Sequence, residues 1–222
     1  MLRWEVTKMA LHESVLNDQT ARLQELVRTP SFVVVAGSLP GLAVATSLEN
    51  GVAIGAVSAV CIFAMALLAR PLRHITGKFA RIPVLLLVSV TVATLAGFAL
   101  RVIDPLLFEN MGIYLSVAAV NALAMAFVVD DGYAAKPAGS MLGTGLFGAV
   151  CTLATLAFVG LINGMFSTGA IFGLTMTELA ASPIAIFGTP AGSLLVLALV
   201  ATFINSIVDA ARKSAAANGG EQ

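Results

Sequence analysis

Charge is the scarcest property of this chain. Asp, Glu, Lys and Arg make up 11% of its 222 residues, against about 25% in a typical soluble domain, and its mean hydropathy is +0.97. Water is therefore not the solvent for most of the molecule. The two signs balance at 12 each, so no basic surplus points to a nucleic-acid partner. Cysteine occurs twice, as Cys61 and Cys151, both inside apolar runs, which excludes a secreted disulfide framework. Histidine also occurs twice, as His12 and His74, both outside those runs, so no pair is placed to hold a haem between helices. A Gly-rich phosphate loop, zinc-ligand spacing and a nucleophile elbow are missing too, leaving the chain poorly equipped to catalyse anything alone. The first 30 residues alternate charged with single apolar residues, unlike the continuous apolar stretch of a signal peptide.

What the sequence does have is long runs free of charge. Ser31–Leu48, Gly51–Ala69, Ile82–Leu100, Gly112–Val129, Met141–Asn163 and Ile184–Val208 contain no Asp, Glu, Lys, Arg or His, and each is 18 to 25 residues long. About 20 residues of helix cross a hydrocarbon core. Lipid offers the backbone no hydrogen bonds, so such runs must be helical or shielded by protein. The fold class is an all-α integral membrane protein with six expected spans at about 31–48, 51–69, 82–100, 112–129, 141–163 and 184–208. A transmembrane barrel would need short alternating strands, which are absent from the pattern.

Basic residues orient the spans. If the N-terminus is inside, the inner segments hold Arg3, Lys8, Arg22, Arg28, Arg70, Arg73, Lys78, Arg81, Lys136, Arg212 and Lys213, and the outer side keeps Arg101 alone. Retention of Lys and Arg in the cytoplasm then predicts a bacterial inner-membrane, multi-pass protein with both termini cytoplasmic. Residues 1–30 form a cytoplasmic arm, 31–208 the membrane domain and 209–222 a cytoplasmic tail. In the arm, Leu2, Met9, Leu16 and Leu23 recur every seven residues, an apolar stripe suited to a helix on the membrane surface or docked to a partner. In the outer segment 164–183, Thr175 and Glu178 have capping-box spacing and predict a short helix.

The spans contain no ionisable residue to mark an ion path, but they do contain irregular backbone. Gly37-Ser38-Leu39-Pro40-Gly41 interrupts span one, where a proline removes a helical hydrogen bond. Asn121 lies near the centre of span four. These features fit either a kink with an interhelical amide bond or two broken helices meeting at the midplane. Gly37, Pro40, Gly41 and Asn121 are accordingly the candidate midplane path residues. Residues 55–64 (GAVSAVCIFA) and 145–154 (GLFGAVCTLA) match at Gly55/Gly145, Ala59/Ala149, Val60/Val150, Cys61/Cys151 and Ala64/Ala154. The match predicts two three-helix repeats of opposite orientation.

Taken in order, these segments resemble the six-span subunits shared by the Rnf and Na+-translocating NADH:quinone oxidoreductase complexes, in the RnfE/NqrD branch. GSLPGLAVATS at 37–47 is similar to the family's Gly-Leu-Cys-Pro run followed by Leu-Ala-Val-Thr. Arg81-Ile82-Pro83 matches its Arg-Ile-Pro. LFENMGIYLSVAAVNA at 107–122 is similar to its Leu-Tyr-Gln-Ser-Leu-Gly-Ile-Phe segment leading to Asn-Cys, and NGMFSTGAIFG at 163–173 to its Gly-Asn-Gly-Thr-Leu-Phe-Gly loop. The resemblance implies a subunit of a redox-driven ion-translocating electron transport complex, with a homologous RnfA/NqrE-like subunit of inverted orientation as partner. Other subunits would carry the flavins and further iron–sulfur centres. It also implies a 2Fe–2S cluster held between the two homologues by two cysteines from each.

This sequence departs from that pattern where the cluster would sit. Leu39 and Ala122 occupy the two cysteine positions, and neither side chain can ligate iron. Either the cluster is lost or altered, or Cys61 and Cys151, at matched repeat positions, have become metal ligands. Two further readings stay open: a secondary transporter binding a small solute near Pro40 and Asn121, and a structural scaffold subunit.

Overall fold

The computed structural model describes residues 29–75, 80–129, 137–171, 174–175 and 184–219. The N-terminal arm and its apolar stripe lie outside the described residues. Among the described residues, eight α-helices follow in order: α1 (Pro30–Ser38), α2 (Leu48–Ile75), α3 (Arg81–Ile103), α4 (Pro105–Met111), α5 (Tyr114–Val117), α6 (Ala122–Val129), α7 (Ala138–Thr168) and α8 (Pro190–Gly219). Proline stands at the start of α1, α4 and α8, where its missing N–H costs nothing and its fixed φ suits the first turn. The protein is an all-α membrane protein, as its composition predicts.

Four helices are long and apolar enough to cross a bilayer: α2, α3, α7 and α8. The pair formed by α4 and the segment Tyr114–Phe127 is a fifth candidate, bent by 75°. The bend falls at Gly112, whose φ of 47° is readily reached only without a Cβ. Upstream, Asp104 caps α4, its Oδ1 accepting the Leu106 and Leu107 N–H groups at 3.0 and 3.1 Å, an arrangement that satisfies two orphan donors. The sixth expected span, at 31–48, is shorter as a helix than as an uncharged run, because α1 gives way to a 3-10 turn at Leu39–Gly41.

The centre of the molecule is the α2–α7 pair, its most extensive helix contact. The most apolar windows of these helices are 56% and 44% buried, against 22% for α3 and α8. Glycine allows their backbones to meet. A Cβ on Gly51 would lie 2.5 Å from the Leu156 carbonyl oxygen, and one on Gly160 would collide with that of Ser47. Gly55 faces Leu153, and Gly148 faces Ile62. Numbers rise along α2 as they fall along α7, so the two helices are antiparallel. Close approach at small residues is how membrane helices gain packing energy without a hydrophobic driving force. On the periphery, Leu87, Val102, Leu199 and Phe203 are 64 to 85% exposed, which places apolar side chains where lipid can solvate them.

Beyond α7 the chain returns as a strap. Gly169 ends the helix in the left-handed region, and a two-residue ladder pairs Ala170 with Thr175 and Ile171 with Leu174. Thr175 is thus in a ladder, and the short helix expected after it falls on residues outside those described. A 3-10 turn at Ala185–Gly188 then packs back on α7, with the Phe166 and Phe187 rings 5.1 Å apart.

Candidate functional site: two interrupted helices joined at Asn121

A helix that stops inside a membrane frees carbonyl groups, which are tolerable there only if protein satisfies them. The chain does this three times. Pro40 has no N–H to continue the ladder, and α1 ends in the 3-10 turn. The Gly37 carbonyl accepts from Asn121 Nδ2 at 2.8 Å. Further along the same break, the Ala45 carbonyl accepts from Asn163 Nδ2 at 2.8 Å. At the second break, between α5 and α6, the Ala119 carbonyl accepts from Ser89 Oγ of α3. Ser89, Asn121 and Asn163 are all fully buried.

Asn121 is the joint between the two breaks. While its amide nitrogen holds α1, its Oδ1 accepts the Leu123 N–H at 2.9 Å and the Ala124 N–H at 3.4 Å, capping α6 in the manner of an N-cap asparagine. One side chain therefore fixes where α1 ends and where α6 begins. Behind the joint stands α7. A Cβ on Gly37 would overlap Thr152 Oγ1, and one on Gly41 would lie 2.8 Å from Leu156 Cδ1. The two glycines are what let the break lie against α7.

The structure brings Gly37, Pro40, Gly41 and Asn121 together, and places Leu39 and Ala122 beside them. Leu39 is 49% exposed and Ala122 is also exposed, each within two residues of the Asn121–Gly37 bond. Val120, next to Asn121, is 57% exposed. The break is thus sealed on its inner side and open on its outer side, where the surface consists of aliphatic side chains.

Cys61 and Cys151 are both free, and neither lies at this opening. Cys61 is fully buried in the core cluster with Ala118, Ala119 and Leu156. Cys151 is partly exposed on α7, and its carbonyl accepts from Thr155 Oγ1 at 2.7 Å. Among the described residues, no three His, Cys, Asp or Glu side chains gather as a possible metal site. An iron–sulfur cluster does not fit the residues at 39 and 122, since a leucine and an alanine supply neither thiolate nor imidazole.

Sequence reasoning missed Ser89, Thr152 and Asn163. Nothing in an apolar run distinguishes a serine that caps a distant carbonyl from one bonded to its own helix. Asn163 had a visible signal, as an amide at the end of an uncharged run. Besides Ala45, it donates to Ser193 Oγ at 2.7 Å, tying the first break to both α7 and α8.

Comparison with known proteins agrees with this geometry. The model of the Rnf-Nqr subunit family of membrane proteins matches residues 21–201. A component of the Na+-translocating ferredoxin:NAD+ oxidoreductase complex of Acetobacterium woodii is 30% identical over 181 residues, covering 79% of this chain and 89% of the relative. The corresponding component of the proton-translocating ferredoxin:NAD+ oxidoreductase complex of Clostridium ljungdahlii is 27% identical over 203 residues, covering 88% and 94%. That of an ion-translocating oxidoreductase complex of Methanosarcina acetivorans is 26% identical over 200 residues, covering 86% and 89%. All three are named as the same subunit of their complexes, the one designated RnfE. The match spans both interrupted helices and the α2–α7 centre, and this multi-pass membrane protein belongs to the Rnf-Nqr membrane subunit family.

Proposed function

We propose that the chain is an integral membrane subunit of an Rnf-type redox-driven ion-translocating electron transport complex, working with a homologous subunit of inverted orientation. The observation that carries this reading is the one-sided break: Asn121 welds two interrupted helices on the inside while Leu39 and Ala122 face outward beside it. Such a surface is half of a site, completed by a second protein. The antiparallel α2–α7 register supports the inverted three-helix repeats, since segments of opposite orientation must bring their central helices together head to tail. Six spans, cytoplasmic termini, an inner-membrane location and the division at residues 30 and 208 belong to the same proposal and rest on the basic flanks. The Acetobacterium and Clostridium relatives are named for different ions, so kinship does not choose the ion.

This chain brings no iron ligand to the shared surface. Its part in the electron and ion path is to shape the midplane and to hold the partner, whose own residues, with flavin- and iron–sulfur-bearing subunits, carry the redox groups. A transporter binding a small solute at Pro40 and Asn121 is the weaker reading, because Asn121 is fully buried and both ends of its amide are already engaged.

The test is isolation of the tagged chain from native membranes in mild detergent. A homologous six-span protein and flavin-bearing subunits should copurify in fixed ratio, and Leu39→Trp or Ala122→Trp should release the homologue while leaving the chain folded. Recovery of the chain alone, active in solute uptake in liposomes, would overturn the proposal in favour of the transporter.

A further inference from the structure

We infer that a cleft between α3 and the bent α4–α5 pair is a binding site for an anionic phospholipid. The cleft has a volume of about 130 Å³ and is lined by Val90, Thr94, Gly97 and Phe98 from α3 and by Phe108 and Ser116 from the facing segment. From Val90 to Gly97 it runs seven residues along α3, about 10 Å of helix. Its sides are apolar and its rim is open, with Val90 and Phe98 47% and 55% exposed. A transmembrane helix, about 10 Å across, is too wide to enter. A single acyl chain is not.

The head of the ligand follows from what stands at one end. Arg101 lies one helical turn beyond Gly97 on the same face of α3, with its guanidinium carbon 5.8 Å from the centre of the Phe108 ring. The aromatic ring that walls the cleft therefore also seats the cation. Arg101 is exposed and makes no ion pair among the described residues. The nearby acids do not compete for it. Asp104 Oδ1 is engaged by two backbone N–H groups, and Glu109 is exposed and does not line the cleft. A cation at the mouth of a narrow apolar slot matches a molecule with a phosphate at one end and a hydrocarbon tail at the other. Guanidinium binds phosphate through paired N–H donors, while the slot removes methylene groups from contact with mobile lipid.

The site is tested on the purified complex in nanodiscs made of equal parts phosphatidylglycerol and phosphatidylcholine, with lipids retained after detergent extraction quantified by mass spectrometry. Phosphatidylglycerol should be enriched. Arg101→Gln should lower that enrichment about fivefold, the effect of one basic residue near an anionic surface, and Arg101→Lys should largely preserve it. Thr94→Phe, a change at an exposed position, should fill the slot and reduce labelling by a phosphatidylglycerol carrying a photoreactive group in its acyl chain. The label should map to residues 90–98 or 108–116. Unchanged enrichment in Arg101→Gln, labelling elsewhere, displacement by inorganic phosphate alone, or crosslinking of Thr94→Cys to another subunit would each overturn the assignment.

Discussion

Replacing Asn121 with alanine tests the central joint directly. Three hydrogen bonds disappear at once: the one to the Gly37 carbonyl and the two that cap α6 at Leu123 and Ala124. Loss of an N-cap costs about 1 kcal/mol. An interhelical side-chain hydrogen bond in a membrane protein contributes about 0.6 kcal/mol on average, with an upper end of about 1.7. A buried carbonyl left without a donor adds a penalty of about 1 kcal/mol or more. Together these give about 2–4 kcal/mol of destabilisation. Unfolding of the reconstituted chain in mixed micelles by titration with SDS, followed by circular dichroism, measures it. Asn121→Ser should recover about 1 kcal/mol, because a serine can still cap α6 but is too short to reach Gly37. Copurification of the homologous subunit should fall with Asn121→Ala and partly return with Asn121→Ser. If Asn121→Ala unfolds within about 0.5 kcal/mol of the parent, below the cost of a lost cap alone, the amide is not the weld between the two breaks and the reasoning fails.

Three other outcomes follow from the same geometry. Gly37→Ala drives a methyl group into Thr152 Oγ1 and should cost about 1–3 kcal/mol by overpacking; in Thr152→Ala the hydroxyl is gone, so a double-mutant cycle in the same SDS titration should show a favourable coupling of about 1 kcal/mol or more. Asn163→Ala removes the donors to Ala45 and Ser193 and should destabilise by about 1–3 kcal/mol, with faster proteolysis in the turn at 42–46 as the local readout; equal cleavage rates would show that the turn does not depend on this amide. Cys61→Ser and Cys151→Ser should leave the iron content and low-temperature EPR of the intact complex unchanged, whereas loss of a cluster signal in either variant would make that cysteine a ligand.

Much of the fold was legible because lipid is an unforgiving solvent. An uncharged run of about 20 residues has few alternatives to a helix, so α2, α3, α7 and α8 fall on four of the six runs, extended by a few residues into their flanks. Pro40 announced the first interruption, since a missing N–H is written in the sequence. The second was marked only by Asn121, a residue that could equally have bonded across two intact helices. The bend at Gly112 was not visible, because a glycine in an apolar run does not disclose its φ.

Composition and single residue types were enough to settle the solvent, the helical class and the lack of thiols at positions 39 and 122, because these properties need no neighbour to take effect. Which freed carbonyl is met by which side chain came only with the packed helices: Gly37 by Asn121, Ala45 by Asn163 and Ala119 by Ser89. So did the outward placement of Leu39 and Ala122 and the enclosure of Cys61. A hydrogen bond spanning 84 or 118 residues of chain depends on how helices are juxtaposed, and no local pattern encodes that.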